Sequence, residues 1–168
     1  MVLQAMADVA EIAVVGCGNL VRSDDGVGPH VVRLLRNRFP DCDARVRVLD
    51  AGTDGMAVML AARGCRTLIV VDAARSGAAP GAVFEVPGAE LENAGSPSLS
   101  LHEFRWDHAL FAGRRMYGAA FPTDVTVLLV EVESTAYGTE LSASVAAAAA
   151  TVADRVEHLV HARLAQPA

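Results

Sequence analysis

"EIAVVGCGNLVRSDDGVG", residues 11–28, reads as a strand, a glycine turn and the start of a helix. The run Ile12–Val15 is continuously apolar, as strands covered on both faces tend to be. From Val27 the apolar positions Val31, Leu34 and Leu35 recur at helical spacing, with Asp24 or Asp25 available as an N-cap. Gly16 and Gly18 open the turn, Gly26 and Gly28 close it, and the adjacent acids Asp24 and Asp25 lie between them. A glycine turn after a strand commonly cradles phosphate, yet carboxylates repel phosphate. The dinucleotide fingerprint G-x-G-x-x-G would need glycine where Val21 stands, the helix does not begin at the turn, and no G-x-x-x-x-G-K-[ST] occurs. Nucleotide binding at this turn is disfavoured.

Working outward, the same alternation continues. "RVRVLD" (45–50), "TLIVVD" (67–72) and "DVTVLLVEV" (124–132) read as strands, and "GAVFEV" (81–86), bracketed by Pro80 and Pro87, reads as a strand nearer an edge. Helical patterns fall between them at 54–64, 100–115 and 142–165. Strands alternating with helices predict an α/β fold with a mostly parallel sheet covered on both faces. Neither an internal repeat nor a linker divides the chain, so one domain over residues 1–168 is expected. The longest irregular stretch is 87–99, and long loops in compact domains are often functional.

Bulk composition narrows the function. The chain has 168 residues, is 52% hydrophobic and carries a net charge of −6, which supports a packed core and argues against nucleic-acid or anionic-membrane binding. No apolar run approaches the roughly 20 residues that span a bilayer. The N-terminal segment lacks the basic start and long apolar core of a signal peptide, so a cytoplasmic protein is expected. Cys17, Cys42 and Cys65 are scattered, with no C-x-x-C pair, which argues against a disulfide framework or a thiolate metal site. No G-x-S-x-G elbow is present, and no cysteine sits in a nucleophile motif.

The acids carry the chemical signal. In an open α/β sheet, ligands bind beyond the carboxyl ends of the strands, near the reversal of strand order. The first strand delivers Asp24 and Asp25 to that rim, the second Asp50 and Asp54, the third Asp72, with His102 after the long irregular stretch. Several carboxylates and an imidazole are suitable donors for a divalent metal. Each also has a plainer reading. Asp24 and Asp25 suit a helix start, and Asp50 and Asp54 can cap the second helix and shape its loop. His102 alone is as readily structural, and a solvated face explains His158 and His161. Asp72 directly follows an apolar strand, where a carboxylate needs a partner.

The series "GCGNLVRSDDGVG … DAGTDGM … LIVVDAA … LHEF" resembles the [NiFe]-hydrogenase maturation endopeptidases, over about residues 12–151. The resemblance implies a three-layer α/β sandwich with a twisted, mainly parallel central sheet. It implies a peptidase that removes a C-terminal extension from the hydrogenase large-subunit precursor after nickel insertion. Carried over, the metal-contacting residues are Asp25, Asp72 and His102, with His108 as the alternative histidine, and Asp25 and Asp72 as catalytic candidates. No intrinsic cofactor is implied, because the nickel belongs to the substrate, although another divalent ion suits the same donors. Asp25 or Asp72 acts as general base with the metal polarising the carbonyl, or the metal serves recognition alone. The competing reading is a non-catalytic chaperone that binds a metal-loaded precursor through the same rim. A monomer is expected. The stretch 87–99 and the segment "FRWDHALFAGRRMYG", with Trp106, Arg114 and Arg115, are candidates for docking the precursor, and Trp106 is equally suited to the core.

Overall fold

The computed structural model describes residues 10–39, 44–92 and 105–166. Strands β1 (Ile12–Cys17), β2 (Val46–Gly52), β3 (Thr67–Ala74), β4 (Val83–Pro87) and β5 (Asp124–Glu131) form one sheet in the order β2-β1-β3-β5-β4. Four of these strands are parallel, and β4 lies antiparallel to β5 at the edge. Helices α1 (Val27–Arg36), α2 (Gly55–Ala62), α3 (Gly88–Glu92), α4 (Trp106–Tyr117) and α5 (Ala143–Leu164) complete the described elements.

Strand alternation divides the core in two. Ala13 and Val15 of β1 with Leu68 and Val70 of β3 pack against α2 and α4 through Val58, Met59, Ala109 and Leu110. Their neighbours Ile12, Val14, Ile69 and Val71 pack on the opposite face, against Val31 and Leu35 of α1 and Val152 and Val156 of α5. Both faces of β1 and β3 are therefore dry, which is why these strands read as apolar without alternation. This is the expected three-layer arrangement. Among the described residues, no helix is long and apolar enough to cross a membrane.

Local expectations hold with adjustments. The second strand runs two residues past Asp50, to Gly52, and the edge strand ends on Pro87. The stretch 87–99 is not irregular throughout, since Gly88–Glu92 forms a short helix; residues 93–99 lie outside the described residues. The helix expected from residue 100 is described from Trp106 to Tyr117.

Neither Asp24 nor Asp25 caps α1. Ser23–Gly26 forms a 3-10 turn, and Gly26 precedes the helix without any side-chain cap. The turn is entered through Ser23 at φ +49°, a left-handed conformation uncommon for a residue with a side chain.

Helix α1 then rests directly on the sheet. A Cβ at Gly28 would stand 2.2 Å from the carbonyl oxygen of Cys17 and 2.5 Å from that of Val71. Both are backbone atoms of paired strands and cannot move aside independently. Gly28→Ala is therefore expected to destabilise the fold by about 2–3 kcal/mol, the scale of overpacking in a dense core. Urea unfolding measures it, and a loss below about 0.5 kcal/mol would mean that the helix can lift from the sheet at little cost.

Candidate functional site

A cavity of about 610 Å³ opens at the carboxyl ends of β1, β2 and β3. Strand order reverses there, because β2 lies on one side of β1 and β3 on the other. Its wall is made by Cys17 and Gly18 after β1, Asp25, residues 52–55 after β2, Asp72 of β3, and Arg105, Trp106 and His108 at the start of α4.

The glycine turn aims Asp25 into this cavity. Gly18 has φ +133°, and a Cβ there would lie 1.8 Å from the carbonyl oxygen of Asp25. Only glycine lets the chain fold back this closely. The backbone N–H of Asn19 donates to Asp25 Oδ2 at 2.9 Å, while Asn19 Oδ1 accepts from the N–H of Val21 at 3.1 Å. The turn is held by its own polar groups, with Asp25 half-buried at the cavity edge.

Asp24, its neighbour, faces the other way. Fully buried, it accepts hydrogen bonds from the N–H groups of Glu133, Ser134 and Ser142 and from the Ser142 hydroxyl, at 2.6–3.0 Å. Burial pushes its pKa up, but the hydrogen bonds from Ser142, Ser134 and Glu133 outweigh burial and hold the carboxyl below its usual range. It clamps the β5–α5 connection onto the turn that carries Asp25. Of the adjacent pair, one acid is structural and one lines the cavity.

The remaining rim acids also divide. Asp54 caps α2, accepting from the N–H groups of Met56 and Ala57, as the sequence suggests. Asp50 accepts from the N–H of Gly52 and shapes the same loop.

Asp72 is only 4% exposed, the last buried residue of β3, two positions before the strand ends at Ala74. Its Oδ1 accepts from the N–H of Ala73 at 2.8 Å. Its Oδ2 accepts from Trp106 Nε1 at 2.6 Å and lies 3.3 Å from the Arg105 guanidinium. Burial pushes the Asp72 pKa up, and the nearby charge of Asp25 adds to the rise, against the lowering effects of Trp106, Ala73 and Arg105. Cys17 sits beside it. Burial, then the charge of Asp72, pushes its thiol far up, so the Cys17 thiol stays protonated at neutral pH.

His102 lies outside the described residues, whereas His108 is half-buried and lines the cavity. Among the described residues, no group of three His, Cys, Asp or Glu side chains is placed to hold a metal ion. Asp25 and Asp72, two of the three residues expected at the metal, line one cavity. In the segment expected to dock the precursor, the described residues from Arg105 divide between core and surface, with Arg115 and Met116 exposed. Trp106 is buried on Asp72, and Arg114 donates to the carbonyl oxygens of Phe121 and Pro122. Leu20, Val21 and Met56 are exposed apolar side chains, each within three positions in sequence of a cavity-lining residue.

Sequence reasoning passed over Glu131. At the end of β5 it is buried and accepts from the N–H groups of Ser76 and Gly77 and the Ser76 hydroxyl, at 2.8–2.9 Å. It directly follows an apolar run within its strand, as Asp72 does, which was the signal available.

The fold and the cavity together define an α/β protein with carboxylates at the switch point, the place where doubly wound nucleotide-binding folds put a phosphate loop. The chain belongs to the hydrogenase maturation protease family, whose model matches residues 29–159. It is 39% identical over 105 residues to the coenzyme F420 hydrogenase subunit delta of Methanothermobacter thermautotrophicus, covering 56% of this chain and 66% of that protein. It is 34% identical over 125 residues to the hydrogenase expression/formation protein HoxM of Azotobacter vinelandii, covering 73% of this chain and 58% of that protein. The chain thus spans about three fifths of the length of these relatives. Among solved structures, the hydrogenase maturating endopeptidase HybD of Escherichia coli superposes with a TM-score of 0.77 at 27% identity, covering 91% of this chain and 93% of that one.

Proposed function

We propose that this chain is an endopeptidase that removes the C-terminal extension of a [NiFe]-hydrogenase large-subunit precursor, and that it recognises the nickel already inserted there. The observation that carries this reading is that Asp25 and Asp72, 47 positions apart in sequence, meet on one cavity at the switch point of a hydrogenase maturation protease fold. His102 is the third donor. The nickel is part of the substrate, and the oxygen donors of Asp25 and Asp72 with an imidazole suit a borderline divalent ion.

Two roles are open to the buried carboxylate. The raised proton affinity of Asp72 suits it to take a proton from a water attacking the scissile carbonyl. That proton then passes to the amine as the peptide bond breaks. Alternatively the acids only grip the nickel and so hold the scissile bond in place. In this reading the protein acts in the cytoplasm as a monomer.

Incubation of nickel-loaded and nickel-free precursor, followed by mass spectrometry of the C-terminus, is the test. Shortening of the loaded form alone is expected. Shortening of both would remove the nickel checkpoint and leave the peptidase. Stable binding of loaded precursor without any shortening would favour the chaperone.

A further inference from the structure

Asp72 has three partners of different kinds. Ala73 N–H on Oδ1 is a backbone group of β3, and Trp106 Nε1 on Oδ2 comes from a buried side chain, so neither can leave without disturbing the sheet or the core. The third, Arg105 Nη2 at 3.3 Å, belongs to a side chain that is 65% exposed, at the residue immediately before α4. Released, the guanidinium regains water, because its side chain already reaches solvent while Asp72 stays buried. Arg105 lines the same cavity as Asp25 and Asp72. It puts one positive charge on the oxygen that a dication would use.

We propose that Arg105 is a specificity-determining residue of this site, an internal cation that a metal must displace before it can reach Asp72. The proposal rests on reading Asp72 as a metal contact. Its consequence is discrimination. A free dication must overcome both the Arg105–Asp72 pair and the repulsion of the guanidinium, so it is retained weakly. A nickel ion held rigidly in a docked precursor brings the additional binding energy of that interface and displaces Arg105. Trp106 donates to the same oxygen and is the only tryptophan of the chain, so its emission reports an open-shell ion arriving there.

The full chain, Arg105→Gln and Asp72→Asn are titrated with nickel chloride by calorimetry, with Trp106 fluorescence followed in the first two. Arg105→Gln removes an exposed side chain and leaves the core untouched. It is expected to bind nickel about three- to tenfold tighter than the unmodified chain, with earlier quenching, the scale of one charge near the surface. Equal or weaker binding by Arg105→Gln, while Asp72→Asn loses affinity, would overturn the proposal and leave the metal site standing. Undiminished binding by Asp72→Asn would remove the metal contact itself, and the proposal with it.

Discussion

Asp72→Asn is expected to cut cleavage of the nickel-loaded precursor by about a thousandfold while the protein stays folded. General-base catalysis alone is worth about 10²–10⁴ in rate, and loss of a metal contact acts in the same direction. Asparagine keeps one oxygen to accept from Trp106 Nε1, while its NH2 takes the place of the oxygen that accepts from the adjacent Ala73 N–H, so one short-range bond is lost and the indole contact that ties α4 to β3 stays. Thermal stability should hold or rise. Burial makes the ionised carboxylate at position 72 costly, as its raised pKa shows. A group protonated more readily in the folded than in the unfolded state lowers stability as pH rises from the unfolded to the folded pKa, and the deficit persists above. Removing the charge removes that deficit. The measurements are precursor mass against time and a melting curve at neutral pH. Cleavage at the normal rate would dismiss Asp72 from the chemistry, and a large drop in Tm would mean that its charge is structural.

Asp24→Ala is expected to do the reverse, destabilising the protein by about 3–5 kcal/mol, the cost of leaving the partners of a buried charge unpaired. Three backbone N–H groups and the Ser142 hydroxyl lose their acceptor together. The β5–α5 connection is then no longer tied to the turn that aims Asp25, so activity falls as a consequence of stability. Urea unfolding gives the magnitude, and a loss under about 1 kcal/mol would show that water replaces the carboxylate. The pH dependence follows the same bonds. Asp24 and Glu131 have pKa values held below normal, the latter chiefly by the Ser76 N–H. Each contributes stability that is complete above the unfolded carboxylate value near pH 4 and is lost as pH falls through the lower folded value. Asp24→Asn should therefore show a shallower loss of stability below about pH 4 than the unmodified chain.

These two residues also mark how far the sequence could be read. Asp72 stood out because a carboxylate directly after four apolar strand residues needs a partner, and the partner proved to be an indole and a guanidinium 34 and 33 positions away. Nothing in "FRWDHAL" identifies that pairing in advance. Trp106 reads equally as core or surface until α4 is laid across the strand ends. Asp24 was read as a helix cap because acids precede α1, and that rule concerns local backbone alone. A left-handed Ser23 and a distant loop presenting three N–H groups override it. Glu131 was missed for the same reason, since its donors lie in the 76–77 loop, 54 and 55 positions away.

The order of apolar strands and amphipathic helices was enough to determine the layered sheet, because burial on both faces imposes a local pattern that survives in any register. The same order placed Asp25 and Asp72 at one end of that sheet, since parallel strands all finish on the same side. Which acid of an adjacent pair enters the cavity, and which side chains from α4 attend Asp72, were decided only in three dimensions. Those outcomes depend on donors brought together from distant parts of the chain, and the strength of a buried charge is set by its complete surroundings.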